Sequence, residues 1–86
     1  MNLRMSAAWP LNRLLFRLKM DDAFYPLLRE DMERYIKEYE LSDGEADALR
    51  SRDPARLLEV GGHPLLVRYI LRIDPRFEHN IYWTQV

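Results

Sequence analysis

Between Pro10 and Lys19 the leucines Leu11, Leu14, Leu15 and Leu18 fall at i, i+3, i+4 and i+7, the spacing that lines one face of an α-helix. Asn12, Arg13, Arg17 and Lys19 fall mostly off that stripe, and Pro10 stands where a first helical turn tolerates proline. This predicts a first helix. A second carries Ala23, Phe24, Leu27 and Leu28, with Asp21 or Asp22 available as its cap. Pro26 is compatible with that helix only within its first turn, which makes it short or late-starting. A third, capped by Asp31, repeats the stripe at Met32, Tyr35, Ile36 and Tyr39, with Glu33–Lys37 and Arg34–Glu38 spaced as i, i+4 pairs on its solvent side.

Leu41-Ser42-Asp43-Gly44-Glu45 is a helix start, with Ser42 and Glu45 spaced as a capping box and Leu41 as its staple. Ala46 and Leu49 then face inward on a short helix that ends near Ser51. Asp53-Pro54 restarts the chain, with Leu57 and Leu58 inward, until Gly61-Gly62 turns it sharply. A last helix is expected from Pro64 to about Ile73, ended by Asp74-Pro75. Leu65, Leu66, Val67, Tyr69, Ile70 and Leu71 make it apolar almost all round, so it is either central or shared with another protein. The tail from Arg76 carries Phe77, Ile81, Tyr82, Trp83 and Val86 without a helical period, too many apolar residues for a solvated segment. The expected architecture is all-α, a compact orthogonal array of five or six short helices with an irregular apolar C-terminal tail. A loosely ordered end over residues 1–8 would precede a single helical domain over 9–75, with the tail at 76–86.

Composition narrows the function classes. Eighty-six residues make one small domain whose stability is marginal and would gain from a permanent partner. The chain is 48% hydrophobic and 31% charged, which is globular, and 13 basic against 14 acidic residues leave a formal net charge of -1. That balance argues against general affinity for nucleic acid or an anionic membrane. With no cysteine there is no disulfide, thiolate metal site or cysteine nucleophile. No apolar run approaches a membrane span, and Arg4, Trp9 and Pro10 interrupt any signal core, so a cytoplasmic protein is expected.

Candidate chemistry is sparse. His63 and His79 alone could supply imidazole, and neither belongs to a metal-ligand spacing; a facial triad for non-haem iron would need both. His63 reads instead as a cap of the last helix or a neighbour of the glycine corner. The carboxylate pairs (Asp21-Asp22, Glu30-Asp31, Glu38 with Glu40) sit at helix starts and on polar faces, where capping explains them. No G-x-S-x-G and no glycine-rich phosphate loop is present. Arg50, Arg52, Arg56, Arg68, Arg72 and Arg76 with Tyr69, Tyr82 and Trp83 suggest a nucleic-acid surface, but the acidic N-terminal half cancels most of that field. No catalytic or metal-binding residue is assigned.

From Leu11 onward the chain resembles the small (alpha) subunit of protocatechuate 4,5-dioxygenase and its relatives, the LigAB-type extradiol dioxygenases. The matching pieces occur in order. They are Leu11-Asn12-Arg13, a tyrosine-rich third helix ending at Tyr39, Leu41-Ser42, Ser51-Arg52-Asp53, and Gly61-Gly62-His63-Pro64. Together they cover about two thirds of the chain. The resemblance implies a LigA-like, non-catalytic cap that packs on a larger catalytic subunit. That subunit would carry iron(II) and open a catechol-type aromatic acid, with no cofactor on this chain. It also implies that Phe77, with His63, lines the substrate pocket. Leu65, Tyr69, Arg72, Ile81 and Trp83 are the expected partner-binding residues. The family's subunit continues into a further helical segment past the position of Val86 and has a longer N-terminal extension. The alternative is a stand-alone recognition module, for example a leader-like domain presenting its C-terminal tail to a peptide-modifying enzyme. A homo-oligomer stays open, and neither nucleic acid nor membrane is expected as a partner.

Overall fold

The computed structural model describes residues 9–73, which form helices and turns only. The order is α1 (Trp9–Met20), α2 (Phe24–Glu30), α3 (Met32–Glu38), α4 (Asp43–Ser51), α5 (Pro54–Glu59) and a 3₁₀ helix (Val67–Ile73). The leucine stripe of α1 is the centre of the core, with Leu11, Leu14, Leu15 and Leu18 fully buried. Around it lie Phe24 and Leu28 of α2, Met32, Tyr35 and Ile36 of α3, Leu49 of α4, Leu57 of α5, and Val67, Ile70 and Ile73. The 3₁₀ helix packs against α1, α2 and α5. Burying each such side chain contributes about 1.5–3 kcal/mol.

The helix ends follow their local chemistry. The capping box closes as expected: the Ser42 N–H donates to Glu45 Oε1 at 2.8 Å, and the Glu45 N–H donates to Ser42 Oγ at 3.2 Å. The Asp31 carboxylate accepts from the Arg34 N–H, and that of Asp53 from the Ala55 N–H. Pro26 lies in the first turn of α2, where its missing N–H costs nothing. The expected aspartate cap of α2 is corrected: Ala23 is the N-cap and makes no side-chain cap bond, while Asp21 Oδ1 accepts from the Ala23 N–H one step earlier. α3 ends in a Schellman arrangement with Glu40 at φ 56°, the Leu41 N–H returning to the Ile36 carbonyl.

The inward assignment of Leu58 and the outward one of Asn12 are overturned, and Leu27 of the second helix also stays outside the core. Leu27 and Leu58 are 46% and 45% exposed. In helices of seven and six residues only one narrow line meets the core. Phe24 and Leu28 hold it in α2, and Leu57 holds it in α5. Asn12, expected on the polar side, is buried. Glu33 is taken by a partner from another helix: its carboxylate accepts from Arg50 Nε at 2.7 Å and Nη2 at 2.9 Å, joining α3 to α4.

The last helix differs in kind. Pro64–Leu66 is a turn, and Val67–Ile73 is 3₁₀ rather than α. In a 3₁₀ helix side chains three apart eclipse. Val67, Ile70 and Ile73 are spaced by three and all three are buried, so a single apolar line runs down the element. β-Branching at those positions also weakens the α alternative. The N-terminal end at 1–8, the Asp74-Pro75 stop and the tail at 76–86 lie outside the described residues.

Candidate functional site

The glycine corner uses its two glycines for different reasons. Gly61 has φ 101° and its N–H returns to the Leu58 carbonyl at 3.0 Å; the Gly62 N–H returns to Leu57 at 2.7 Å, completing a Schellman motif at the end of α5. At Gly62 the constraint is space. A Cβ there would stand 2.6 Å from Val67 Cγ1 and 2.7 Å from the Leu57 carbonyl oxygen. The corner is therefore pressed onto the start of the 3₁₀ helix.

Asn12 clips this corner to α1. Its Oδ1 accepts from the His63 N–H at 2.7 Å, and its Nδ2 donates to the Gly61 carbonyl at 3.3 Å. Two loop groups that no helix would satisfy thus find a buried partner. His63 Nδ1 in turn accepts from the Leu65 N–H at 3.0 Å and caps the following turn. His63 neighbours the glycines as expected, and its side chain caps the turn at Leu65 rather than the helix that begins at Val67.

Beside the clip lies an open, mostly apolar groove of about 340 Å³. Trp9, Arg13 and Phe16 of α1 form one wall, Tyr39, His63 and Leu66 the other, with Asn12 at the base. Phe16 is half exposed. The Arg13 guanidinium lies 5.5 Å from the centre of the Tyr39 ring. Arg17, one turn on, donates to the Tyr39 hydroxyl at 3.3 Å, stacks 4.1 Å over the Phe24 ring and pairs with Asp21 at 3.5 Å. The Tyr39 hydrogen bond, foremost among these contacts, raises the Arg17 pKa further above its ordinary value. Phe24 meets Tyr35 edge-on at 5.0 Å, so the aromatic cluster behind the groove is fixed in place.

The other expected site residues are dispersed. Leu65 is 72% exposed on the turn before the 3₁₀ helix. Tyr69 is half-buried between Lys19 and Arg68, whose cations lie 6.0 and 5.2 Å from its ring centre. Arg72 works inside the domain. It donates to the Leu18 carbonyl at 3.2 Å, capping α1, donates to Asp22 at 3.0 Å, and lies over the Tyr25 ring. Phe77, Ile81 and Trp83 lie outside the described residues. Asn12, Phe16 and Tyr39 were not singled out as site residues. Asn12 reads as a polar face residue until the corner folds over it, and Phe16 is an aromatic off the stripe, the one local signal of an exposed apolar wall. Among the described residues no three His, Cys, Asp or Glu side chains gather as a metal site would, and no helix is long and apolar enough to cross a membrane.

The family model for the LigA subunit of the aromatic-ring-opening dioxygenase LigAB matches residues 11–82, from the leucine stripe of α1 through the Asn12 clip and beyond. The chain belongs to the LigA family. No curated protein and no solved structure gave a significant match. The matched span contains every residue of the clip and all of the groove except Trp9.

Proposed function

We propose that this LigA chain is the non-catalytic small subunit of an extradiol ring-cleavage dioxygenase. On this reading it packs, in the cytoplasm, on a larger subunit that binds iron(II) and opens a catechol-type aromatic acid. The family match over residues 11–82 carries the reading. Phe16, Met20 and Leu65 are exposed apolar side chains that such a partner would cover. The donors of the described residues do not fit an iron centre. His63 has spent Nδ1 on the Leu65 N–H, and among the described residues no three His, Cys, Asp or Glu side chains gather with it. The reading assigns the iron and its chemistry to the larger chain, and Phe77 to the rim of that chain's pocket, as the family implies.

Co-expression with the larger ring-opening subunit of the same host tests this. The expected result is a stable complex on size exclusion, and 3,4-dihydroxybenzoate opened with oxygen uptake by the complex but not by this chain. Failure to associate, or stoichiometric iron and ring opening by the isolated chain, would overturn it.

A further inference from the structure

At the corner between α4 and α5 the local hydrogen bonds are made by neighbours, with one exception. Ser51 Oγ donates to the Ala48 carbonyl at 2.6 Å and accepts from the Asp53 N–H at 3.1 Å. Asp53 caps α5 through the Ala55 N–H, and the Arg52 N–H closes α4 on the Leu49 carbonyl at 3.1 Å. The Arg52 side chain is the exception. It is half-buried, and its Nε is covered without a hydrogen-bond partner. A guanidinium has donors and no acceptor, so a covered N–H without a partner loses its hydration with no compensating bond. The backbone adds to this. Arg52 stands at φ 56°, the left-handed conformation in which a helix ordinarily ends on glycine. Glu40 shares that conformation at the end of α3, but its side chain is exposed. A glycine at position 52 would remove both the strain and the unpaired donor, so the folding of this chain does not account for the arginine.

The absent group is an acceptor, and the local charge points to its kind. Arg50, two positions earlier, is held by Glu33 at 2.7 Å and Asp47 at 2.8 Å. Among the described residues neither Arg52 nor Arg56 enters an ion pair, so the corner presents two uncompensated cations. We propose that Arg52 is a contact residue of the subunit interface, its guanidinium receiving the carboxylate of an Asp or Glu side chain of the larger ring-opening subunit. This rests on the subunit reading above. Rotating the stem outward uncovers Nε, and the Nε–Nη edge then matches the two carboxylate oxygens with two parallel hydrogen bonds. Ser51 and Asp53 hold the corner in place beforehand, so the pair forms without reordering the backbone.

Two measurements on the full chain test it: the urea midpoint of each variant alone, and its dissociation constant for the larger subunit. Arg52→Gly should raise the midpoint and yet weaken association at least about tenfold. Arg52→Lys, which keeps the charge without the fork, should bind between wild type and Arg52→Gly. Lys37→Met removes an exposed cation of α3 and should leave both quantities unchanged. A lowered midpoint for Arg52→Gly would show that the arginine serves the fold, and would overturn the proposal. So would wild-type affinity in that variant, or an equal loss of affinity in Lys37→Met. Saturable shifts of the Arg52 amide with inorganic phosphate would mark a small-anion site, and contacts of Arg52 with residues outside 9–73 would mark an internal partner; either would overturn it too. If the wild-type chain forms no complex, the subunit reading falls and this proposal with it. If the complex forms and the Arg52 variants bind as wild type does, only this proposal falls.

Discussion

Trp9–Met20 and Pro64–Ile73 are made from similar materials. Each has a proline at its start, several large aliphatic side chains and two or more cations. The first is a regular α-helix that buries Leu11, Leu14, Leu15 and Leu18, and the second is a turn followed by a 3₁₀ helix that buries Val67, Ile70 and Ile73. The difference lies in which period the core accepts. In α1 the buried set follows the 3.6-residue repeat, and the off-stripe positions carry Arg13, Arg17 and Lys19 into water or onto aromatic faces. In the second stretch the apolar residues are too many for one α face. The closely packed Gly62–Val67 junction fixes how the chain enters, and the three-residue repeat of β-branched side chains then meets α1, α2 and α5. A run of apolar residues states that a segment is buried without stating which helix it becomes.

The contrast can be tested, beginning with the largest effect. Ile70→Ala removes a fully buried side chain from the centre of the 3₁₀ line and should destabilise by about 2–5 kcal/mol in urea unfolding. Leu65→Ala, five residues earlier in the same stretch but 72% exposed, should stay within about 0.5 kcal/mol. Equal losses at the two positions would mean that Leu65 is packed as deeply as Ile70, against the exposed turn seen before the 3₁₀ helix. Gly62→Ala forces a methyl against the Leu57 carbonyl and should cost about 2–3 kcal/mol, because backbone cannot rotate away as a side chain can.

Asn12→Ala leaves the His63 N–H and Gly61 C=O without their side-chain partner and should cost about 1–3 kcal/mol. It should also speed amide exchange at His63, which a simple loss of α1 packing would not single out. On the α4 side, Ser42→Ala should cost about 1 kcal/mol through the lost cap.

The smallest effect is electrostatic. The Arg50 hydrogen bond holds the Glu33 carboxyl below its ordinary pKa, and the same contact raises that of Arg50. A folded-state pKa below the unfolded one gives stability that is present above the unfolded value and is lost as pH falls through the folded value. Arg50→Met should therefore lower the urea midpoint slightly at neutral pH and make no difference in strong acid. Because the pair is exposed, the change should shrink with added salt.

Much of this fold was legible in the order of residues. The α1 stripe, the Ser42–Glu45 box, the Asp31 and Asp53 caps and the late start forced by Pro26 are local. Each depends on groups within four positions of one another, and each formed as spacing and capping chemistry require. The all-helical class followed from these, and the ordered motifs carried the family. The site was less legible. His63 could be placed at a corner, but its role depends on Asn12, 51 residues away. The groove needs Tyr39, which arrives from α3 after two intervening turns.

What the sequence by itself determined is most of the helix boundaries, the start of α2 and of the 3₁₀ helix excepted, because caps, prolines and glycines act on neighbouring backbone groups. What only the tertiary structure decided is which polar residue goes inside and which apolar residue stays out. Asn12 is buried because a folded corner presents an N–H and a C=O to it, and Leu58 is exposed because Leu57 already fills the single line that α5 can bury. The same holds for the 3₁₀ helix, where the three-residue line of Val67, Ile70 and Ile73 meets three other helices that the local sequence does not specify.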